Sequence, residues 1–272
     1  MDPLPALSPF TFGSMSLGSY EGRFEADIRL ARRAMEAGVW FHTSPTYHRG
    51  FSFLVLRMAF DADRARVPKL IVKIRDARPW LLRFEVEDAL RRLGVEQIAV
   101  AQLVQQHPGA IVEDFLSGGP LRAECEALKA EGKVGAFCLY CDRARSEATL
   151  RAVDAELFPG YLFYFNPVQS DVSVPLRGAF EEGRAPVLAL RTLGGAFFQS
   201  DPEAGARLCE AGGCADPVEL SLRYAWSFPW VRTTIGGTAS ETHLDRYLEV
   251  AAHPRPLDPT TLARVRALVA QG

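Results

Sequence analysis

The chain has 272 residues, of which 48% are hydrophobic and 24% are charged, and its formal net charge is −2. This composition is ordinary for a soluble globular protein, and it excludes the strongly basic surface with which proteins bind nucleic acid or an anionic membrane. We expect a cytoplasmic protein, because no apolar stretch approaches the roughly 20 residues of a membrane span, the N-terminus lacks a signal-peptide pattern, and the five cysteines are spaced like free thiols.

Short apolar segments alternate with amphipathic segments along the whole chain. The first apolar segment is FTFGSMSLG, and it is followed by VWF, KLIVKI, QIAVAQLV, VGAFCL, a strand within GYLFYFNPVQSDV, PVLALR and VRTTIGG. Between and after these strands we predict helices in EADIRLARRAMEAG, FLVLRMAFDADRA, FEVEDALRRLG, GPLRAECEALKAEGK, RSEATLRAVDAEL, PLRGAFEEG, PVELSLRYAWSF and SETHLDRYLEVAA. Strands that are apolar on both faces and alternate with helices are typical of a parallel sheet covered by helices.

Eight strand–helix units in a chain of this length predict an α/β fold, a (β/α)8 TIM barrel, as a single domain over residues 1–272. The competing architecture is a doubly wound sheet, which would carry a GxGxxG fingerprint after its first strand. The segment GSMSLG lacks that pattern, and the proline-rich stretches LPALSP and AHPRPLDP lie near the two ends of the sequence. We therefore favour one barrel without an internal linker.

Catalytic residues of such barrels lie where the strands end and the following loops begin. The third strand ends at Lys73, the one charged residue in LIVKI. Its ammonium either enters the barrel mouth or extends to solvent on an apolar stem, and the sequence leaves both interpretations open. The residues at the predicted strand ends are His42, Tyr47, Lys73, Arg75, Gln105, His107, Tyr140, Cys141, Gln169, Asp171, Arg191, Gly236 and Gly237.

Four segments, in the right order, resemble motifs of the aldo-keto reductase superfamily. GVWFHTSPTYHRG is similar to GxNFxDTSxxYG, EGKVGAF to EGKIRAIG, PVLALRTLGGAFF to VxAxSPLxxG, and SLRYAWSFPWVRTTIGGTASETHLDRYL to LRFxLxxPxVxxxIxGxxxxEQLEENL. The resemblance extends over nearly the whole chain and implies the same barrel. It also implies an oxidoreductase that transfers a hydride between NADPH or NADH and the carbonyl or alcohol group of a small-molecule substrate.

The resemblance implies a catalytic site in which Tyr47 donates a proton and Lys73 tunes that tyrosine. A phenol with a pKa of about 10 is a weak acid at neutral pH, and a neighbouring ammonium makes its anion easier to form. Two family positions are altered, because His42 stands at the family's Asp position and Val104 at its His position. A local insertion would bring His107 to the latter position, but an odd shift along a strand reverses the facing of side chains unless a bulge intervenes.

The cofactor contacts that the resemblance implies are also partly altered. The residues that hold the nicotinamide carboxamide fall at Tyr140 and Cys141, with Gln169 as a third contact. The family's basic residue for the 2′-phosphate falls at Ala239. The adenine contacts fall at Arg246 and Tyr247, and the other residues expected to bind the cofactor are Gly13, Ser14, Arg191, Gly236, Gly237, Thr238 and Ser240.

The segment IGGTASETHL places Gly236, Gly237 and Ser240 immediately before a predicted helix. Backbone N–H groups and the helix dipole make such a helix start a binding site for phosphate. Ser240 also fits the N-cap position, with Glu241 in the first turn. The phosphate interpretation and the N-cap interpretation are compatible.

The segment CLYC has the spacing of a redox motif, but Cys138 falls inside a strand, where a core position is favoured over redox chemistry. We expect Cys141 to lie at the barrel mouth. There it could join His42 and His107 around a metal ion, but nothing in their spacing indicates such a site, and we predict no metal. The aromatic residues 161–165, YLFYF, favour packing in the core or the barrel wall over a stacking platform, and they could also narrow a substrate pocket.

The change from Asp to His has an electrostatic consequence. If His42 lies beside Lys73, the pKa values of both groups should fall, because each disfavours the charged form of the other. That change would weaken carbonyl reduction and would suit proton abstraction near neutral pH. Three functions therefore stay open: an NAD(P)H-dependent oxidoreductase, a lyase, dehydratase or isomerase acting next to a carbonyl, and a catalytically impaired binding protein on the same barrel.

Overall fold

The computed structural model describes residues 4–104, 108–141 and 147–270, and in these ranges eight parallel strands form a closed barrel. Each strand pairs with the next in chain order, and β8 pairs with β1. The predicted barrel is confirmed, and the doubly wound sheet is excluded because an open sheet would leave two edges unpaired. The strands are β1 (Phe10–Gly13), β2 (Trp40–Thr43), β3 (Leu70–Ile74), β4 (Ile98–Leu103), β5 (Val134–Tyr140), β6 (Tyr161–Tyr164), β7 (Val187–Leu190) and β8 (Val231–Gly236).

Helices cover the outside of the barrel, and every segment with predicted helical spacing contains one. None of the described helices is long and apolar enough to span a membrane. The helices are α1 (Phe24–Glu36), α2 (Phe51–Ala62), α3 (Pro79–Leu93), α4 (Pro108–Ser117), α5 (Pro120–Ala130), α6 (Glu147–Asp154), α7 (Val174–Glu181), α8 (Phe197–Ser200), α9 (Pro202–Gly212), α10 (Pro217–Trp226), α11 (Glu241–Ala252) and α12 (Pro259–Val269).

Helices α4, α8, α9 and α12 lie outside the segments that the sequence pattern indicated. The start of α12 shows why, because its first residue belongs to the proline-rich stretch AHPRPLDP. Proline is well tolerated at the first position of a helix, since the N–H that it lacks would have no partner there. The Asp258 carboxylate accepts a hydrogen bond from the Thr261 N–H at 3.0 Å and caps the helix. The prolines therefore begin a helix here rather than a loop.

The interior of the barrel changes from apolar to polar along the strands. Side chains alternate between the barrel axis and the helices, so residues two apart in a strand face the same way. Trp40, Ile71 and Val100 belong to the apolar cluster inside the barrel. Two residues further along the same three strands come His42, Lys73 and Gln102. These three polar residues therefore lie next to one another at the C-terminal mouth of the barrel.

Candidate active site

Lys73 and Tyr47 meet at the barrel mouth. The Lys73 Nζ lies 5.0 Å from the centroid of the Tyr47 ring. Lys73 is half-buried, and its facing follows from the inward position of Ile71 two residues earlier. The interpretation in which this lysine extends to solvent, away from Tyr47, is therefore wrong, and the expected convergence of the two side chains is confirmed.

The turn that carries Tyr47 has an unusual backbone. His48 and Arg49 have φ values of 45° and 58°, in the left-handed region that side chains other than glycine rarely adopt. The His48 Nε2 lies 2.7 Å from the carbonyl oxygen of Met15 and ties the turn to the loop after β1. Strained backbone of this kind concentrates at functional sites, where the surrounding structure holds it in place. The turn fixes Tyr47 over the end of β3.

His42 is buried inside the barrel, with 3% of its surface exposed. Its Nε2 donates a hydrogen bond of 2.8 Å to the Oε1 of Gln102 on β4. Burial, and after it the nearby Lys73 ammonium, lower the pKa of His42 to about 3. His42 is therefore a neutral imidazole at physiological pH, where a carboxylate at this position would be an anion.

The other two groups also have shifted pKa values. Burial, and after it the charge of Arg75, lower the pKa of Lys73 to about 8. Burial raises the pKa of Tyr47 above its ordinary value, and Tyr164 raises it further. The expected fall of the His42 and Lys73 pKa values is confirmed. The expected cause holds for His42 only, because the fall at Lys73 comes from burial and from Arg75.

Gln102 is a site residue that the sequence reasoning missed. That reasoning followed β4 to Gln105 and His107, and both lie outside the described residues. Val104 directly follows β4, with its N–H donating to the carbonyl of Ile74 at 2.9 Å. A signal for Gln102 was present, because it is the one polar residue in IAVAQL, as Lys73 is in LIVKI.

An aromatic wall closes the opposite side of the mouth. The rings of Tyr140 and Tyr164 lie 6.2 Å apart, and the Arg191 guanidinium lies 5.3 Å from the Tyr164 ring. Tyr164 is 40% exposed, whereas the other residues of 161–165 are buried. Core packing therefore holds for those four, and Tyr164 takes the position expected of a residue that narrows a pocket. Arg191 has a left-handed backbone, with φ 54°, and its carbonyl accepts a hydrogen bond from the Asn166 Nδ2 at 3.0 Å.

Cys141 does not lie at the mouth, and this prediction is wrong. Strand alternation turns it outward, where it is fully buried among the residues between barrel and helices. Burial raises the pKa of its thiol to about 12. Cys138 is a core residue inside the barrel, as predicted. Within the described ranges, the structure contains no cluster of three His, Cys, Asp or Glu side chains that could hold a metal.

Gln169 lies beyond the end of β6, in the loop that follows the strand. Its Oε1 accepts a hydrogen bond of 3.0 Å from the Nδ2 of Asn166. Tyr164, not Gln169, is the residue at the C-terminal end of β6 that faces the mouth. This bond leaves the two Nε2–H donors of the exposed Gln169 side chain unused, so the carboxamide contact by Gln169 stays a prediction.

The loop after β8 approaches the end of β1 closely. A Cβ atom on Gly237 would lie only 2.5 Å from the carbonyl oxygen of Gly13, so this contact requires glycine. Ser240 caps α11, because its Oγ accepts a hydrogen bond from the His243 N–H at 3.4 Å. The Thr238 Oγ1 accepts one from the Ser240 N–H at 3.0 Å. The predicted N-cap is confirmed, and it orders the first turn of α11.

Arginine side chains near this loop are engaged within the protein. Arg23 donates a hydrogen bond to the carbonyl of Ala239 and pairs with the buried carboxylate of Asp27. Arg246 forms ion pairs with three carboxylates, those of Asp216, Glu219 and Glu249. Arg23 is therefore the guanidinium placed beside Ala239, whereas Arg246 is held by its own acidic partners.

Ser14 and Tyr247 have partners in the protein as well. The Ser14 hydroxyl donates to the Thr43 Oγ1 at 2.7 Å and accepts from the Ser52 Oγ at 2.9 Å. Tyr247 is buried, and its ring lies 5.4 Å from that of Phe10. Both side chains stabilise the surroundings of β1 and have little capacity left for a ligand.

Solved structures similar to this one include aldo-keto reductases. An aldo-keto reductase from Klebsiella pneumoniae in complex with NADPH superimposes with a TM-score of 0.76 at 18% identity, covering 97% of this chain and 91% of that one. The holo form of an aldo-keto reductase from Bacillus halodurans superimposes with a TM-score of 0.77 at 18% identity. The match covers 96% of this chain and 92% of that one. A glycerol dehydrogenase from Gluconobacter oxydans superimposes with a TM-score of 0.73 at 19% identity. The match covers 98% of this chain and 94% of that one.

No protein-family model and no curated protein matches the sequence. At identities this low, the structural likeness shows the fold, and the chemistry has to be argued from the site itself.

Proposed function

We propose that this chain, which has the fold of the aldo-keto reductases, is a divergent NAD(P)H-dependent oxidoreductase that reduces the carbonyl group of a small molecule. The observation that carries the proposal is the Lys73 ammonium 5.0 Å from the Tyr47 ring at the C-terminal mouth of the barrel. The four sequence motifs and the like-folded reductases support it independently. The other side chains of the reaction centre are His42, Gln102 and Tyr164.

Tyr47 is the proton donor in this proposal. A carbonyl oxygen bound at the mouth gains negative charge as it is reduced, and the Tyr47 hydroxyl delivers a proton to it. Lys73 stabilises the resulting phenolate, because a cation beside a phenol favours its anion. Burial raises the pKa of Tyr47 and lowers that of Lys73, so both groups favour their neutral forms more than they would in water. The site should therefore work more slowly than one that keeps its lysine fully charged.

A nicotinamide cofactor would supply the hydride, and the loop after β8 suits its phosphate groups. Gly236, Gly237 and Thr238 lead into the capped start of α11, where backbone N–H groups and the helix dipole favour anions. Arg23 and Arg191 add positive charge on either side. At the nicotinamide end, Tyr140 and Tyr164 offer aromatic surface.

The test compares Tyr47→Phe with wild type, using NADPH binding by fluorescence and NADPH consumption with a simple aldehyde. We expect Tyr47→Phe to retain NADPH binding and to lose about 10²- to 10⁴-fold in kcat, the range typical of a lost proton donor. Tyr161→Phe is the matched control, because its phenol belongs to the cluster outside the barrel, and it should keep wild-type kinetics. Equal activity of Tyr47→Phe and wild type would contradict the assignment of Tyr47.

A second candidate function is proton abstraction next to a carbonyl without a redox cofactor. The observation that favours it is the pKa of Lys73 near 8, which places a potential base close to neutrality at the mouth. The NADPH titration separates the two functions. Micromolar or tighter binding supports the oxidoreductase, whereas no binding favours the cofactor-independent lyase or isomerase.

A further inference from the structure

The hydrogen bond between His42 and Gln102 joins two strands that are not neighbours. His42 lies on β2 and Gln102 on β4, and β3 lies between them. In the strand register His42 is opposite Ile71, and Gln102 is opposite Lys73. The bond therefore crosses β3 on the inner side of the barrel, directly beside the base of the Lys73 side chain.

The direction of this bond determines the state of the imidazole. The Gln102 amide is oriented with its Oε1 toward the ring, and because an amide oxygen only accepts, the His42 Nε2 carries the hydrogen in this orientation. In the neutral ring the Nδ1 then holds a lone pair. A second proton on the ring would place a cation beside Lys73, with Arg75 contributing further positive charge from the end of β3.

The Gln102 side chain lowers the stability of the folded protein. It is fully buried, and among the described residues its Nε2 has no hydrogen-bond partner. A buried donor without a partner destabilises the folded state, and an apolar side chain of similar shape would avoid the loss. Residues that violate the rules of core packing in this way concentrate at functional sites. This loss of stability is consistent with a functional role for the Oε1 atom, which accepts the hydrogen bond from His42.

We infer that Gln102 is a positioning residue, which fixes the neutral His42 ring as its Nε2–H tautomer. Lys73, and not His42, then carries the proton that stabilises the Tyr47 anion. The role in catalysis rests on the proposed function, whereas the state of His42 does not. The titratable and charged groups around this arrangement lie on four sides. They are Lys73 on β3 and Arg75 just after it, Tyr47 in the turn after β2, Cys138 and Tyr140 on β5, and Tyr164 on β6.

The first test measures the imidazole directly. The ¹⁵N chemical shifts of His42, assigned with the variant His42→Asn, report both its tautomer and its protonation. We expect the His42 ring of wild type to stay in the neutral Nε2–H form at every pH between 5 and 9. Gln102→Met removes the acceptor and should give a mixture of tautomers. A wild-type ring that is protonated at neutral pH, or a tautomer that Gln102→Met leaves unchanged, would overturn the inference.

The second test exchanges the amide for an isosteric carboxylate. Gln102→Glu should stabilise the imidazolium and also the Lys73 ammonium, and so move the alkaline limb of the kcat/KM profile upward by about one pH unit or more. Gln97→Glu is the matched control, because Gln97 is exposed immediately before β4, at the end far from the mouth, and its side-chain amide donates to the Gly132 carbonyl. An alkaline limb that moves equally in both variants would contradict the positioning role.

The two tests separate the two proposals. If no variant consumes NADPH and the His42 shifts behave as expected, the proposed reaction is wrong and the assignment of the tautomer stands. If Gln102→Glu fails to fold, the spectra of wild type and Gln102→Met decide the inference.

Discussion

The two ends of the proposed cofactor site differ in composition, because backbone atoms form the phosphate end and side chains form the reaction end. At the phosphate end, β1 and the loop after β8 approach through backbone atoms, with Gly13 and Gly237 in close contact and α11 beginning at a capped Ser240. At the reaction end, side chains from several strands converge, and His42 stands at the position where the resembling family has Asp. A backbone site tolerates substitution of the residues around it, whereas a side-chain site changes its chemistry with each residue.

The largest expected effect tests the reaction end. Lys73→Met should lower kcat for carbonyl reduction by about 10²-fold or more, since it removes the cation that stabilises the Tyr47 anion. The same variant should be more stable at pH 7, because wild type holds a half-buried lysine whose pKa is lowered from 10.5 to about 8. That shift corresponds to roughly 3 kcal/mol at most. Activity assays and denaturant titrations measure the two effects.

The stability difference of Lys73→Met should depend on pH with a defined sign. Between about pH 8 and pH 10.5 the unfolded chain binds a proton at Lys73 that the folded protein has lost. Wild type is therefore stabilised as pH rises through this window, and the advantage of the variant should shrink. An advantage that stays constant from pH 7 to pH 10 would show that better packing of the methionine, not relief of charge burial, controls the difference.

The phosphate end should respond to backbone crowding. Gly237→Ala would place its Cβ 2.5 Å from the Gly13 carbonyl oxygen, so the loop has to move. We expect a loss of about 1–3 kcal/mol in stability and a comparable loss in NADPH affinity. Gly178→Ala is the control, because a Cβ in that helix meets no atom within 4 Å. The control should be stabilised by about 0.5–1 kcal/mol, as for alanine replacing glycine in a helix.

The smallest effect concerns the choice between NADPH and NADH. Ala239 provides no cation, Arg246 is held by three carboxylates, and Arg23 is partly exposed and shared with Asp27. We expect the two dissociation constants to differ by less than a hundredfold. Arg23→Gln should change NADPH affinity by about 1 kcal/mol or less, because exposed ion pairs contribute little. A larger preference for NADPH, retained in Arg23→Gln, would show that another group binds the 2′-phosphate.

The site residues that could be predicted are polar residues within apolar strands, near the strand ends. Lys73 stands out in the sequence because a charged residue in an apolar strand must face either the interior mouth or solvent. Gln102 gives the same signal in β4, but attention to the family's His position led past it to His107. Cys141 was misplaced because an apparent strand end does not reveal facing, and one residue decides between the mouth and the helices.

The sequence by itself determined the barrel, since eight apolar segments alternating with amphipathic ones have few other ways to bury their surfaces. It also determined that Tyr47 follows β2 and that Lys73 lies near the end of the neighbouring β3. Only the tertiary structure decided that His42 bonds to Gln102 across β3, that Tyr164 faces the mouth and that Arg23 reaches Ala239. Those contacts join residues far apart in the chain, and their geometry depends on strand register and side-chain facing, which local patterns do not encode.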